Sequence, residues 1–106
     1  MEKEGFFINH LDRLIQLFPQ DILYAEVEGE YCKIVTQSEE YMVKTSMRHL
    51  NEFIPTNMIQ IHRNYIVKSS AIDSINLQEK VVEINGIELP ISRRYKQNLL
   101  ECIKKI

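Results

Sequence analysis

The stretch from Ile61 to Val67 has the composition of a small recognition site. Three polar residues, His62, Arg63 and Asn64, lie there between apolar residues on both sides. Each of the three side chains carries hydrogen-bond donors, and a basic group beside an amide suits a surface rich in acceptors, such as base edges or phosphates. The alternative is an ordinary solvated turn, which is the more common role of an isolated polar tripeptide.

A second polar group lies near the end of the sequence, where Ser92 is placed to cap a helix that begins with Arg93 and Arg94. Positive charge in the first turn opposes the helix dipole, and each misplaced charge costs about 0.3–1 kcal/mol. An anionic partner would offset this cost, because free N–H groups and two guanidinium groups suit a phosphate, or could reach guanine acceptors. The alternative is that the arginines pair with nearby acids such as Glu88.

The sequence offers no pattern that is typical of catalysis or metal binding. His10, His49 and His62 lack the spacing of paired metal ligands, and no nucleophile or glycine-rich motif accompanies them. Cys32 and Cys102 are far apart and form no CxxC pair, so we expect two buried, reduced thiols. We therefore expect no enzymatic activity, no metal and no cofactor.

Length and composition predict a single soluble globular domain over residues 1–106. The chain is 44% hydrophobic and 26% charged, which is typical of such domains. No apolar run approaches the roughly 20 residues of a membrane span. Residues 1–5 resemble a start or a linker remnant rather than a signal peptide. These features predict a cytoplasmic protein that does not contact a membrane.

The distribution of charge differs between the two halves of the chain. The net charge of −2 is unusual for a nucleic-acid binder, since such domains are commonly basic. However, residues 1–57 contain 5 Lys+Arg and 10 Asp+Glu, whereas residues 58–106 contain 8 and 5. Any phosphate-facing charge is therefore expected in the second half.

Apolar alternation predicts a mainly β chain of small antiparallel sheets and hairpins, with one short internal helix and a C-terminal helix. The expected strands are residues 6–8, 14–18, 22–28, 31–36, 40–44, 58–61, 65–68, 71–77, 80–84 and 87–89. Asn85-Gly86 indicates a type I′ hairpin turn. Thr45 or Ser46 is expected to cap the internal helix, which Pro55 would end. The last helix has an apolar stripe, formed by Tyr95, Leu99, Cys102, Ile103 and Ile106.

Three segments, in this order and spacing, resemble the LytTR family of bacterial DNA-binding domains. They are DILYAEVEGEYCKI at residues 21–34, IHRNYIV at residues 61–67 and LPISRRY at residues 89–95. The resemblance extends over residues 6–103. It implies small antiparallel sheets without a helix-turn-helix, and sequence-specific reading of double-stranded DNA by loops that enter successive major grooves.

By position, the resemblance places DNA contacts in a first loop at residues 28–33, a second loop at residues 62–64 and a third loop at residues 92–95. The residues it implies as contacts are Tyr31, Lys33, His62, Arg63, Asn64, Ser92, Arg93, Arg94 and Tyr95. Arg63 and Arg94 are the foremost candidates. The family often has asparagine where this chain has Glu30. Because Glu28 is also acidic, two carboxylates flank the first loop in this chain and would repel phosphates.

Members of the family usually follow a receiver domain in response regulators of two-component systems, and they bind repeated promoter sites. The resemblance thus implies a receiver domain or a second copy on DNA as partners. The alternative function is a small β protein-interaction module, using a sheet edge or the helix around Met47 and Phe53, which the acidic first half favours. A third function is binding of single-stranded RNA, with Tyr31, Tyr65 and Tyr95 as stacking platforms.

Overall fold

The computed structural model describes residues 4–54 and 57–106. Within these ranges the chain forms ten strands in three antiparallel sheets, two α-helices and two short 3-10 helices. The strands are β1 (Phe6–His10), β2 (Arg13–Leu17), β3 (Ile22–Glu28), β4 (Tyr31–Thr36), β5 (Glu40–Lys44), β6 (Met58–His62), β7 (Tyr65–Lys68), β8 (Ser74–Asn76), β9 (Val81–Ile84) and β10 (Ile87–Pro90). The helices are α1 (Met47–Leu50) and α2 (Arg93–Cys102), and the 3-10 helices are Pro19–Asp21 and Ser69–Ala71. The predicted mainly β fold is confirmed. In the described ranges, neither α-helix is long and apolar enough to cross a membrane.

A five-stranded sheet in the order β5-β4-β3-β7-β6 forms the centre of the molecule. One face packs against the β1–β2 hairpin and α1, through a core that includes Ile8, Leu17, Ile22, Ala25, Ile34 and Leu50. The other face, called here the α2 face, packs against the β8–β10 sheet and α2, through a core that includes Tyr24, Ile61, Val67, Val82, Leu89 and Leu99. The central sheet is therefore buried on both faces.

The alternation of apolar and polar residues over residues 22–28 indicates a strand with only one buried face, and the two-sided packing shows that this interpretation is wrong. All four residues from Ile22 to Ala25 are buried, and a register shift lies between Ile22 and Tyr24. A shift of this kind bends the strand and breaks the simple alternation of its side chains. Only the end of β3, near the first loop, is open to solvent.

The internal helix is shorter than predicted. Ser46, not Thr45, caps it, because the Ser46 hydroxyl accepts a hydrogen bond of 3.1 Å from the His49 N–H. The helix ends at Leu50 and continues as a turn over residues 51–53. The predicted stop at Pro55 lies outside the described residues, as do residues 1–3 of the predicted start or linker.

The strand predicted at residues 71–77 is also shorter. Its first residue, Ala71, ends the 3-10 helix Ser69–Ala71, where the Ile72 N–H donates to the Ser69 carbonyl at 3.3 Å. Only Ser74–Asn76 pairs with β9. Asn85 and Gly86 have φ values of 50° and 80°, and both lie in the β9–β10 turn, as a type I′ hairpin requires.

The apolar stripe of α2 is only partly as predicted. Leu99 is fully buried, and Tyr95 and Ile103 are half-buried, but Cys102 and Ile106 are exposed. At 100° per residue, Ile103 lies about 40° from Leu99 around the helix axis, whereas Cys102 lies about 60° away. Because α2 ends at Cys102, Ile106 does not continue the stripe. Cys32 is buried, as expected.

Candidate nucleic-acid interface

The three predicted loops lie together at one end of the central sheet. Because β7 pairs antiparallel with β3, the β3–β4 turn and the β6–β7 turn are at the same end. The Val27 N–H donates to the Asn64 carbonyl at 2.8 Å, which joins the first loop's strand to the second loop. The Ser92 N–H donates to the Ile61 carbonyl at 2.9 Å, which joins the third loop to the second. The second loop is therefore the centre of one continuous surface.

In the second loop, a tight turn presents Arg63 to solvent. Arg63 and Asn64 form the turn between His62 and Tyr65, and the Asn64 N–H donates to His62 Nδ1 at 3.1 Å. Since Nδ1 accepts, the neutral imidazole carries its proton on Nε2 as a donor. The Gln60 amide donates to the carbonyls of His62 and Arg63, at 3.2 and 3.4 Å. The backbone of the turn is thus braced from within.

A row of polar side chains crosses four adjacent strands and connects the first loop to the second. Lys33, Glu26, Tyr65 and His62 are successive cross-strand partners on β4, β3, β7 and β6. The Lys33 ammonium lies 3.8 Å from a Glu26 carboxylate oxygen, and the His62 and Tyr65 rings meet edge to face with centres 5.4 Å apart. Burial is the largest cause of a raised pKa of Tyr65. The negative charge of Glu26 and a hydrogen bond to its carboxylate raise this pKa further. The phenol therefore stays a donor at neutral pH.

This row changes what is expected of Lys33. Glu26 partly offsets its positive charge. The sequence motifs indicated neither Glu26 nor Gln60, which braces the second loop. The available signal for both was a polar residue inside an otherwise apolar strand: Glu26 alternates with Ala25 and Val27, and Gln60 lies between Ile59 and Ile61.

In the first loop, exposed carboxylates surround the predicted contacts. Gly29 has a φ of 63°, which places it in the left-handed region, and the turn exposes Glu28 and Glu30. Tyr31 is exposed opposite Glu28, and Lys33 follows on the same side of β4. Both side chains belong to the α2 face of the sheet, because their cross-strand partners alternate with residues of the opposite core. The first loop is therefore the least basic of the three.

The third loop begins α2 with two unneutralised arginines. Arg93 and Arg94 are exposed, and α2 has no acid in its first turn. Across the described ranges, no ion pair connects Glu88 to either arginine. The Arg94 guanidinium carbon lies 5.6 Å from the centre of the Tyr95 ring, which orients it by a cation–π contact. The positive end of the helix dipole is thus reinforced.

Ser92 occupies the N-cap position, but the predicted side-chain cap is wrong. Its Oγ is inaccessible and makes no hydrogen bond to any described residue. Instead, its backbone is held between the Ile61 carbonyl and the Tyr95 N–H, which donates to the Ser92 carbonyl at 3.1 Å. The bond to β6 fixes the residue and leaves the first amides of α2 without a side-chain acceptor.

The arrangement suits binding of an acceptor-rich, anionic partner. Arg63, Arg93 and Arg94 are exposed on two loops whose backbones are hydrogen-bonded together, and His62 and Asn64 flank Arg63. Over residues 4–54 and 57–106, no group of three or more His, Cys, Asp or Glu residues is placed to hold a metal ion.

Two curated relatives match nearly the whole chain. The sensory transduction protein LytR of Streptococcus mutans is 31% identical over 106 residues, covering 92% of this chain. The sensory transduction protein LytT of Enterococcus faecalis is 26% identical over 105 residues, covering 94% of this chain. In both cases the chain spans 43% of the relative's length.

A solved structure matches the fold of this chain, and a family profile matches its sequence. A solved LytTr DNA-binding domain from Bacillus cereus superposes with a TM-score of 0.81 over 94% of this chain and 96% of that chain, at 18% identity, so the two share a fold. The sequence profile of the LytTr DNA-binding domain family matches residues 12–104. This chain therefore belongs to the LytTr DNA-binding domain family.

Proposed function

We propose that the three loops bind double-stranded DNA sequence-specifically, with their tips in the major groove. The observation that carries this proposal is the pair of main-chain hydrogen bonds, Val27 to Asn64 and Ser92 to Ile61, which hold the three loops on one surface. Such a surface presents donors in a fixed arrangement, as reading of base edges requires. Family membership supports DNA binding over the protein-interaction module.

The contacts divide into base reading and backbone positioning. Arg63 and Arg94 are the proposed base readers, because an exposed arginine can donate two parallel hydrogen bonds to guanine O6 and N7. Asn64 and the Nε2–H of His62 add polar contacts around Arg63. Arg93, Tyr95, Tyr31 and Lys33 are proposed to fix the orientation on the duplex. Ser92 is proposed to act through its backbone, which holds the third loop against β6, because its Oγ is inaccessible. Lys33 contributes weakly, because Glu26 offsets its charge.

In the whole protein, this domain is proposed to act as the DNA-binding part of a bacterial response regulator. Relatives of about twice this length are named as sensory transduction proteins. A receiver domain is the proposed partner within the longer protein, and a second copy bound to a neighbouring half-site is the proposed partner on promoter DNA. The proposed location is the cytoplasm, where the chromosome lies.

Fluorescence anisotropy with a labelled duplex tests this function. The duplex is first selected from a random pool at low salt, and its affinity is compared with that of a scrambled duplex as salt increases. We expect tighter binding of the selected duplex, and a log–log salt slope near −0.9 for each neutralised phosphate. A salt-insensitive complex, or equal affinity for both duplexes, would contradict the proposal. A stable protein partner without any effect of DNA would instead support the protein-interaction module.

A further inference from the structure

A small basic pocket lies beside the third loop, and four of its six lining residues belong to none of the three predicted DNA-contact loops. Its volume is about 230 Å³, and its lining residues are Leu77, Lys80, Ile91, Ser92, Arg93 and Lys96. Three of these residues are cations and none is an acid. The pocket thus gathers positive charge from two separate elements, the β8–β9 turn and α2.

The β8–β9 turn, residues 77–80, is held firmly against the start of α2. Lys80 has a φ of 60°, a backbone conformation that residues other than glycine rarely adopt. The Glu79 N–H donates to the Asn76 side chain at 2.8 Å, and the Ile91 N–H donates to the Lys80 carbonyl at 2.9 Å. Because Ile91 immediately precedes the third loop, Lys80 is fixed to the same framework as the arginines.

The helix contributes the other two cations from one side. Arg93 and Lys96 are three residues apart, so they are neighbours on the helix surface. Arg94 is turned about 100° away from Arg93, and its guanidinium group contacts the Tyr95 ring instead. The two adjacent arginines therefore face different surroundings, and only Arg93 lines the pocket.

The free domain leaves this positive charge without compensation. In the part of the chain that the structure describes, no salt bridge includes Lys80, Arg93 or Lys96. Like charges at this spacing repel, and the helix dipole adds to the unfavourable field. An oxyanion would reverse both effects, because cations and free N–H groups at a helix N-terminus converge on negative oxygen atoms.

We propose that Lys80, Arg93 and Lys96 together bind a backbone phosphate group of duplex DNA. The β8–β9 turn then becomes a fourth contact, continuous with the third loop, and Arg93 positions the domain while Arg94 reads a base. The inference rests on the proposed function, since it requires that the three-loop surface bind DNA. A phosphate contact is independent of sequence and adds to affinity rather than to discrimination.

Two charge-removing variants, Lys80→Gln and Lys96→Gln, test the proposal on a scrambled duplex and on a selected duplex. Each should weaken binding of both duplexes by the same factor and reduce the salt slope by about one. Lys104→Gln is the matched control, because Lys104 is exposed beyond the end of α2. It should leave affinity and slope unchanged. Thermal unfolding verifies that each variant is folded, and Lys96→Gln keeps the test valid if the strained turn does not tolerate Lys80→Gln.

The outcomes separate this inference from the proposed function. If the wild-type domain binds no duplex, the proposed function fails, and with it the inference. If the wild type binds and both variants match it in affinity and slope, only the pocket assignment is wrong. A titration with inorganic phosphate, followed by amide NMR, tests the remaining source of oxyanion. Shifts at residues 80, 93 and 96 with inorganic phosphate but not with duplex would mean that the pocket binds free anions, which overturns the proposal.

Discussion

Replacing Arg94 with alanine tests whether the third loop reads bases. Arg94 is exposed, and in the free domain its guanidinium group contacts the Tyr95 ring. An exposed cation–π contact is worth about 0.5–1 kcal/mol, so the free energy of unfolding should fall by no more than this. A bidentate contact with guanine is worth about 1–3 kcal/mol of discrimination. The ratio of affinities for the selected and scrambled duplexes should therefore fall about 5- to 150-fold.

The assay is competition between the selected and scrambled duplexes at one fixed salt concentration. Arg94→Lys is the control, because lysine keeps the charge but not the planar pair of donors. It should keep the affinity for scrambled duplex and still lose discrimination. If Arg94→Ala weakens both duplexes equally, or if Arg94→Lys discriminates as well as wild type, then Arg94 contacts the backbone and the reasoning is refuted.

Three further predictions follow from burial and charge. Leu99→Ala should lower the free energy of unfolding in urea by about 2–5 kcal/mol, because Leu99 is the fully buried residue of α2 and packs into the core on the α2 face. It should also weaken DNA binding by loosening the third loop; a cost below about 1 kcal/mol would contradict this packing. Burial raises the pKa of the Cys32 thiol from 9.0 to about 11, so the unfolded chain loses this proton first as pH rises. Between pH 9 and 11, the titration of this thiol should lower the free energy of unfolding by about 2–3 kcal/mol. An equally steep fall in the Cys32→Ala variant would refute the assignment. Glu30→Gln should raise duplex affinity by about twofold, since a carboxylate roughly 10 Å from a phosphate in water costs about 0.4 kcal/mol. Glu39→Gln, in the β4–β5 turn at the opposite end of the sheet, should leave affinity unchanged.

Much of the fold could be predicted because turns and strands carry local signals. The bounds of β3, β4, β5 and β7 match the predicted strands, and the Asn85-Gly86 turn has the predicted conformation. Local patterns fail where tertiary packing decides. The burial of both faces of β3 depends on what covers the sheet, and the exposure of Cys102 depends on where α2 meets it.

The grouping of the three loops could be inferred only through the family resemblance, because the hydrogen bonds that join them connect residues far apart in sequence. For the same reason, no local pattern indicated that Lys80 and Arg93 would line one pocket. Ser92 illustrates the limit of a local rule. Its residue type and position are those of a side-chain cap, but the bond from its backbone to Ile61 fixes it differently. The individual DNA contacts remain predictions.

Amide NMR titration of the domain with the selected duplex at low salt tests the central claim most directly, because it detects weak binding and locates it. We expect shifts that cluster at residues 28–33, 62–64 and 92–96, on the one surface that the three loops form. Absent shifts, or shifts confined to residues 46–54 around α1, would contradict the three-loop interface and favour a protein-interaction module.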